Sequence, residues 1–401
     1  MFLRGATVMT AAGRTIADGD VLIRGGRIAA VGASLEAPPD AKVIDAKGRW
    51  ITPGLIDPHS HVGVYGLPDV PAHRDGNEAT DPMTPELQAM DAFWPQDPAI
   101  ERALSGGVTT IHVLPGSTNV VGGQGVTLRL LPRLSAHEMR FPGAPNSMKM
   151  ACGENPKRSH GQIAKRAPST RMSEVALLRS ALDRGRAYES KDGKPSDWAA
   201  AAMKRVASGN LLVQYHCYRA DEMLLRLEVL EAYGIRPRAF HHAVEAYKIA
   251  PQLARAGVAA VVWADWGGWK MELRDAVPAA AAILQRAGVR VALHSDLPHE
   301  IERLNQQAAL ARAAGIRAGI VVSHEQALRW VTVNAAWVLG IDDRTGTLEP
   351  GKEADLVVWS HEPLSVYARA EQVFVGGELV YERAEPSVPL SDFELGIREI
   401  P

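Results

Sequence analysis

The chain of 401 residues is poor in the features that mark several large protein classes. It has two cysteines, Cys152 and Cys217, too few for a disulfide framework, and thiols of that kind suit a reducing cytosol. It has almost no charge excess, with 44 Lys and Arg against 46 Asp and Glu. That balance gives no global field to hold nucleic acid or an anionic membrane. Aromatic residues make up only 6%. No apolar run reaches the roughly 18 residues of a membrane helix. The first residues, Met1-Phe2-Leu3-Arg4-Gly5, turn polar too early for a secretory signal, so a cytoplasmic protein is expected.

What is present is an ordinary globular composition, 46% apolar and 22% charged, on a chain too long for one small core. The two ends resemble each other. Runs such as Asp20-Val21-Leu22-Ile23-Arg24-Gly25-Gly26-Arg27-Ile28 and Gln372-Val373-Phe374-Val375-Gly376-Gly377-Glu378-Leu379-Val380 are short β segments joined by glycine turns. Neither end can bury itself alone, so the economical arrangement is one small β-sandwich built from residues 1–51 and 345–401. The middle, 52–344, alternates strand and amphipathic helix, the rhythm of a (β/α)₈ barrel. Strands are expected at 54–61, 108–114, 147–151, 211–216, 238–242, 258–262 and 289–296. Helices are expected at 220–233 and 300–314. The segment from Glu154 to about Asn210 is long for a connection between strand and helix and is expected to carry a lid.

The strongest chemical signal is Pro53-Gly54-Leu55-Ile56-Asp57-Pro58-His59-Ser60-His61. Residues i and i+2 of a strand share a face, so His59 and His61 aim two imidazoles at one point in the barrel mouth, a geometry suited to a divalent cation such as Zn²⁺. His216, His242 and Asp296 close later strands, and strand C-terminal ends converge in this architecture. His241 alternates with His242, so one of the two is expected to face the pocket and the other to point away.

The order His-x-His, Lys, His, His, Asp resembles the amidohydrolase superfamily, in particular its imidazolonepropionase and prolidase-like branch. The resemblance covers nearly the whole chain and includes the closing run Gly346-Thr347-Leu348-Glu349-Pro350-Gly351-Lys352-Glu353-Ala354-Asp355-Leu356-Val357. It implies a buried metal on His59, His61 and Asp296, and a second, more exposed metal on His216 and His242. One or two ions, most simply Zn, are implied. The bridge between them would be a carboxylated Lys149, within Met148-Lys149-Met150-Ala151, or Glu154 close by; the apolar-Lys-apolar pattern favours Lys149. Asp296 would be the catalytic base and then acid.

One departure bears on the substrate. Members acting on cyclic amidines often carry Glu three residues after the fifth-strand His, and here that position is Arg219. A guanidinium cannot act as an acid or base there, but it can clamp a carboxylate. Lys157, Arg158, Lys165, Arg166 and Arg171 follow without an acidic residue between them, which points to an anionic substrate. Trp263, Trp266 and Trp269 are candidates to wall the pocket. The resulting expectation is a metal-dependent hydrolase of a carbon–nitrogen bond, amide or dipeptide-like, in a small molecule bearing a carboxylate. A homo-oligomer is compatible with the sequence. Two alternatives stand beside it: a mononuclear cyclic-amide hydrolase or deaminase, and a non-enzymatic binding protein on the same fold.

Overall fold

The computed structural model describes residues 1–190 and 194–383. The end of the C-terminal segment, 384–401, lies outside the described residues.

The chain begins with five strands, β1 (Phe2–Met9), β2 (Thr15–Arg24), β3 (Arg27–Ala33), β4 (Val43–Asp45) and β5 (Trp50–Pro53). Eight more then form the barrel: β6 (Leu55–Ser60), β7 (Val108–Val113), β8 (Val121–Arg129), β9 (Ser147–Ala151), β10 (Leu212–Cys217), β11 (Ala239–His242), β12 (Ala259–Val262) and β13 (Val291–Leu293). The last three, β14 (Leu356–Trp359), β15 (Ala370–Val375) and β16 (Glu378–Glu382), return to the first five.

Both chain ends share one sheet, in the order β16-β15-β14-β5-β1-β2-β3, with β4 beside β1. The junction is the antiparallel pair β14·β5, with Val358 opposite Ile51 and Leu356 opposite Pro53. Leu3, Val8, Val21, Ile51, Leu356 and Phe374 form its own apolar core. Neither end supplies those residues alone, which is why the two segments must meet.

The barrel strands follow one another in space from β6 to β13. The backbone N–H of Asp296 donates to the carbonyl of His59 at 3.1 Å, bringing the last strand's end back to the first. The barrel is thus nearly closed. Its strands are parallel except β8, which runs antiparallel to both β7 and β9. The sequence rhythm predicts only parallel strands and misses β8, for a physical reason. The run Val121-Gly122-Gly123-Gln124-Gly125 reads as a turn, yet these glycines lie inside the barrel wall. A Cβ on Gly125 would stand 2.9 Å from His112 Nε2 and 2.7 Å from Ser147 Oγ, so the position requires glycine. The link 114–120 holds no helix, and a short link can return only to an antiparallel neighbour.

The predicted helices appear as Ala220–Glu231 and, displaced by a 3₁₀ turn at Ile301–Arg303, Leu304–Arg317. The long connection after β9 is largely helical, with Arg171–Ala187 and Trp198–Ala207 crossing where Gly185 meets Met203. No helix among the described residues is long and apolar enough to cross a membrane.

Candidate metal centre

β6 is buried along its whole length, and its alternation sends Asp57, His59 and, just beyond the strand, His61 to the barrel interior. Asp57 accepts from the Ser295 hydroxyl and from the backbone N–H of Ser295 at 3.3 Å, tying β6 to the end of β13. Burial pushes its carboxyl up to about 7, against those hydrogen bonds. His59 Nε2 and His61 Nε2 each lie 3.5 Å from Asp296 Oδ1. His61 donates from Nδ1 to the Leu114 carbonyl at 2.8 Å, which turns its Nε2 toward Asp296.

The other strand ends complete the cluster. His242 packs 4.7 Å from the His59 ring, 4.5 Å from His216 and 4.9 Å from His294, measured between ring centres. His59, His242, His294 and Asp296 each present a donor atom, all within 4.8 Å of one another, as a metal site requires. Strand-end reading alone does not single out His294, although it stands two residues before Asp296 as His59 stands two before His61.

Three non-glycine residues at these strand ends have positive φ: His242 at 64°, Ala243 at 41° and Asp296 at 66°. Such backbone costs free energy and clusters at functional sites. It also accounts for a correction. Strict alternation predicts that His241 and His242 face opposite ways, with His241 pointing away from the cluster. The strand ends at His242, whose left-handed backbone breaks the alternation, and both rings lie in the barrel interior. His241 sits beneath His59, the two Nδ1 atoms 2.9 Å apart.

Lys149, on β9, is buried with its Nζ 2.9 Å from the Pro115 carbonyl and 3.2 Å from His59 Nε2. Burial pulls its ammonium down to about 7. Glu154 lies at a helix start and turns to Lys270 Nζ, 3.4 Å away. Burial, reinforced by neighbouring cationic or imidazole groups, holds His59, His216, His241 and His242 well below the ordinary histidine value. Burial likewise brings His294 down to about 4. Burial pushes the Asp296 carboxyl up, but the His61 hydrogen bond and the charges of His61, His294 and Lys149 outweigh it and hold it below its usual value. The site therefore combines neutral imidazoles with a carboxylate, the donor set of a divalent cation.

Unpaired atoms support the same reading. Both ring nitrogens of His216 and His294, and Nδ1 of His242, are buried without a hydrogen-bond partner. Leaving a buried polar atom unpaired costs about 1–3 kcal/mol, and a bound cation would remove that cost. The residues present fit a metal.

Arg219 stands at the start of the helix after β10, where both arms of its fork reach Asp221 at 2.9 and 2.8 Å. It is exposed. Of the cations expected in a lid, Arg171 bonds Glu222 and Glu272, while Arg158, Lys165 and Arg166 are exposed. Trp263 stacks 4.5 Å from His242 and 4.9 Å from Trp266, and these rings border a cavity of about 200 Å³ beside His242. Trp269 is exposed and packs on Lys270.

The two cysteines, expected as free thiols, are joined as a disulfide. Register explains it. β9 and β10 are neighbours with Ala151 opposite His216, so the residues following each come together across a sequence separation of 65.

A family model described as the amidohydrolase family matches residues 50–380. The chain belongs to the amidohydrolase family. A crystal structure of an amidohydrolase from Thermotoga maritima MSB8 is 37% identical, with a TM-score of 0.88, over 95% of this chain and all of that one. Amidohydrolase tasK of Hapsidospora irregularis is 34% identical over 91% of this chain, which spans 40% of that longer protein. An imidazolonepropionase of Cereibacter sphaeroides is 29% identical over 90% of this chain and 92% of that one. This amidohydrolase is a hydrolase acting on carbon–nitrogen bonds, with a His/Asp cluster compatible with a divalent cation.

Proposed function

We propose that this amidohydrolase cleaves an amide or dipeptide-like bond in a small substrate carrying a carboxylate. The observation carrying the reading is the convergence of His59, His61, His242, His294 and Asp296 on one buried point, with unpaired imidazole nitrogens beside it. In this reading the barrel, 52–344, is the hydrolytic unit. The β unit of 1–51 with the described part of 345–401, folded as a small sandwich, supports it.

His59, His61 and Asp296 would hold one divalent cation, most simply Zn²⁺. His216 and His242 would hold a second, with His294 close to both groups. A cation there supplies Lewis acidity, making water a better nucleophile near pH 7 and polarising the scissile carbonyl. Asp296 takes the proton from the attacking water and delivers it to the leaving nitrogen, as general base and then acid. Trp263 and Trp266 wall the adjoining cavity on one side.

Lys149 is the favoured bridge over Glu154, because it reaches His59 whereas Glu154 is paired with Lys270. A buried, neutral amine can take up CO₂ and become an anion able to join two cations. Lys149→Ala is expected to lose the second equivalent of metal and at least about 10²-fold in kcat, the scale of a lost catalytic group. Short carboxylic acids should restore part of both. Full metal content and rate in the variant would exclude Lys149 as the bridge.

Two cations would be candidates to meet a substrate carboxylate, each on releasing a present partner, Glu154 for Lys270 and Asp221 for Arg219. Lys270 lies 4.3 Å over the Tyr218 ring, which itself packs 4.5 Å from His216. A charge-assisted contact contributes about 1.5–3 kcal/mol, so Lys270→Gln should raise KM for a carboxylate substrate about tenfold or more. The neutral amide analogue should be unaffected. If Arg219→Lys shows that selectivity and Lys270→Gln does not, the clamp is Arg219.

The substrate class is tested by screening the metal-loaded protein against dipeptides, N-acyl amino acids and cyclic amides. Turnover confined to cyclic amides would favour a mononuclear ring hydrolase instead.

A further inference from the structure

Beneath the proposed metal centre lies a chain of hydrogen bonds whose direction can be read at every link. Gln214 on β10 is fully buried, and its Nε2 donates to the Val338 carbonyl at 3.0 Å. A backbone carbonyl only accepts, so the amide nitrogen must face Val338 and Oε1 must face the barrel interior. There Oε1 meets His241 Nε2 at 2.7 Å. An amide oxygen likewise only accepts, so His241 carries its proton on Nε2. A neutral imidazole has one N–H, and a buried ring that touches no carboxylate is kept neutral. His241 Nδ1 is therefore a lone pair. It lies 2.9 Å from Nδ1 of His59, which must donate. At the other side of the His59 ring, Nε2 meets the Lys149 Nζ at 3.2 Å, a donor that calls for a lone pair there, with Asp296 Oδ1 at 3.5 Å.

We propose that Gln214 and His241 are positioning residues that fix His59 in its Nδ1–H tautomer and so keep Nε2 open as a donor to a divalent cation. The metal part of this inference rests on the proposed function above; the tautomer does not. Ligating histidines commonly donate their other N–H to a carboxylate, a backbone carbonyl or water. His61 does so directly, to Leu114. His59 has a second histidine in that position, and an imidazole can either donate or accept. Gln214, anchored to the backbone, removes the ambiguity. The arrangement adds no negative charge of its own, and it joins three side chains on β6, β10 and β11 by hydrogen bonds.

The test uses the full chain, metal-free, labelled with ¹⁵N-histidine, and reads the His59 tautomer by NMR, with Zn²⁺ alone as the probe in a chelator competition. The wild type should show His59 protonated at Nδ1. His241→Phe removes the acceptor and should weaken Zn²⁺ binding about 10–100-fold, the usual range for a lost outer partner of a ligand. Gln214→Leu frees His241 to adopt either tautomer, and the His59 signal should become a mixture. His241→Asn keeps an oxygen at the Nδ1 position and should restore Zn²⁺ affinity to within about threefold, a rescue that lost packing alone would not give. A wild-type His59 protonated at Nε2 would overturn the proposal whether or not the variants fold. So would equal Zn²⁺ affinity in wild type, His241→Phe and Gln214→Leu. Absence of Zn²⁺ binding by the wild type would overturn the metal-centre reading, while the tautomer signal would still decide the relay.

Discussion

Asp296→Asn is expected to lower kcat by about 10²–10⁴-fold, the range for loss of a positioned general base. The variant suits the question because Asn is among the few residues that tolerate the left-handed backbone Asp296 adopts, at φ 66°. It keeps the size and the oxygen facing His59 and His61 but cannot accept and return a proton. The metal-free melting temperature should change by only a few degrees, since the amide fills the same space and keeps an oxygen 3.5 Å from His59 and His61. The check is steady-state kinetics on the substrate found by screening, alongside thermal melts. A variant within threefold of wild type would remove Asp296 from the proton path.

The second large effect concerns Cys152 and Cys217. A cross-link closing a loop of 65 residues restricts the unfolded chain by about 4 kcal/mol in the chain-entropy model. The bridge also joins the loop leaving the Lys149 strand to the residue that follows His216. The pair Cys152→Ser and Cys217→Ser, or wild type under strong reductant, should therefore lose most of that amount in urea unfolding. Comparing the two forms controls for the lost sulfur atoms, because only the oxidised wild type should stand apart. Equal stability in oxidised and reduced protein would show that the bridge constrains nothing that unfolding releases.

Much of the site was legible because strand geometry maps sequence spacing onto direction. His59 and His61, two apart, share a face, and His216, His242 and Asp296 mark strand ends that a barrel brings together. The failures came where a local rule gave way to a tertiary one. β8 hid behind glycines that serve close packing rather than a turn. Alternation turns His241 away from the pocket, but the positive φ of His242 interrupts it, and no sequence signal announces such a backbone. His294 shares with Asp296 the spacing that singles out His59 and His61, a signal that strand-end position alone does not weigh. The disulfide could not be foreseen without the register of β9 against β10, since two cysteines 65 residues apart carry no pairing information of their own. The spacing of Arg219 from His216 suggests a clamp, but its own neighbour Asp221 occupies the fork.

The most direct test of the central claim is the metal content of the purified chain, measured by inductively coupled plasma mass spectrometry after exhaustive dialysis. A dinuclear amidohydrolase centre predicts two equivalents of a divalent cation per chain in the wild type, falling to one or none in His59→Asn. Wild-type protein that carries no divalent cation yet hydrolyses its substrate at full rate in the presence of chelator would contradict the account.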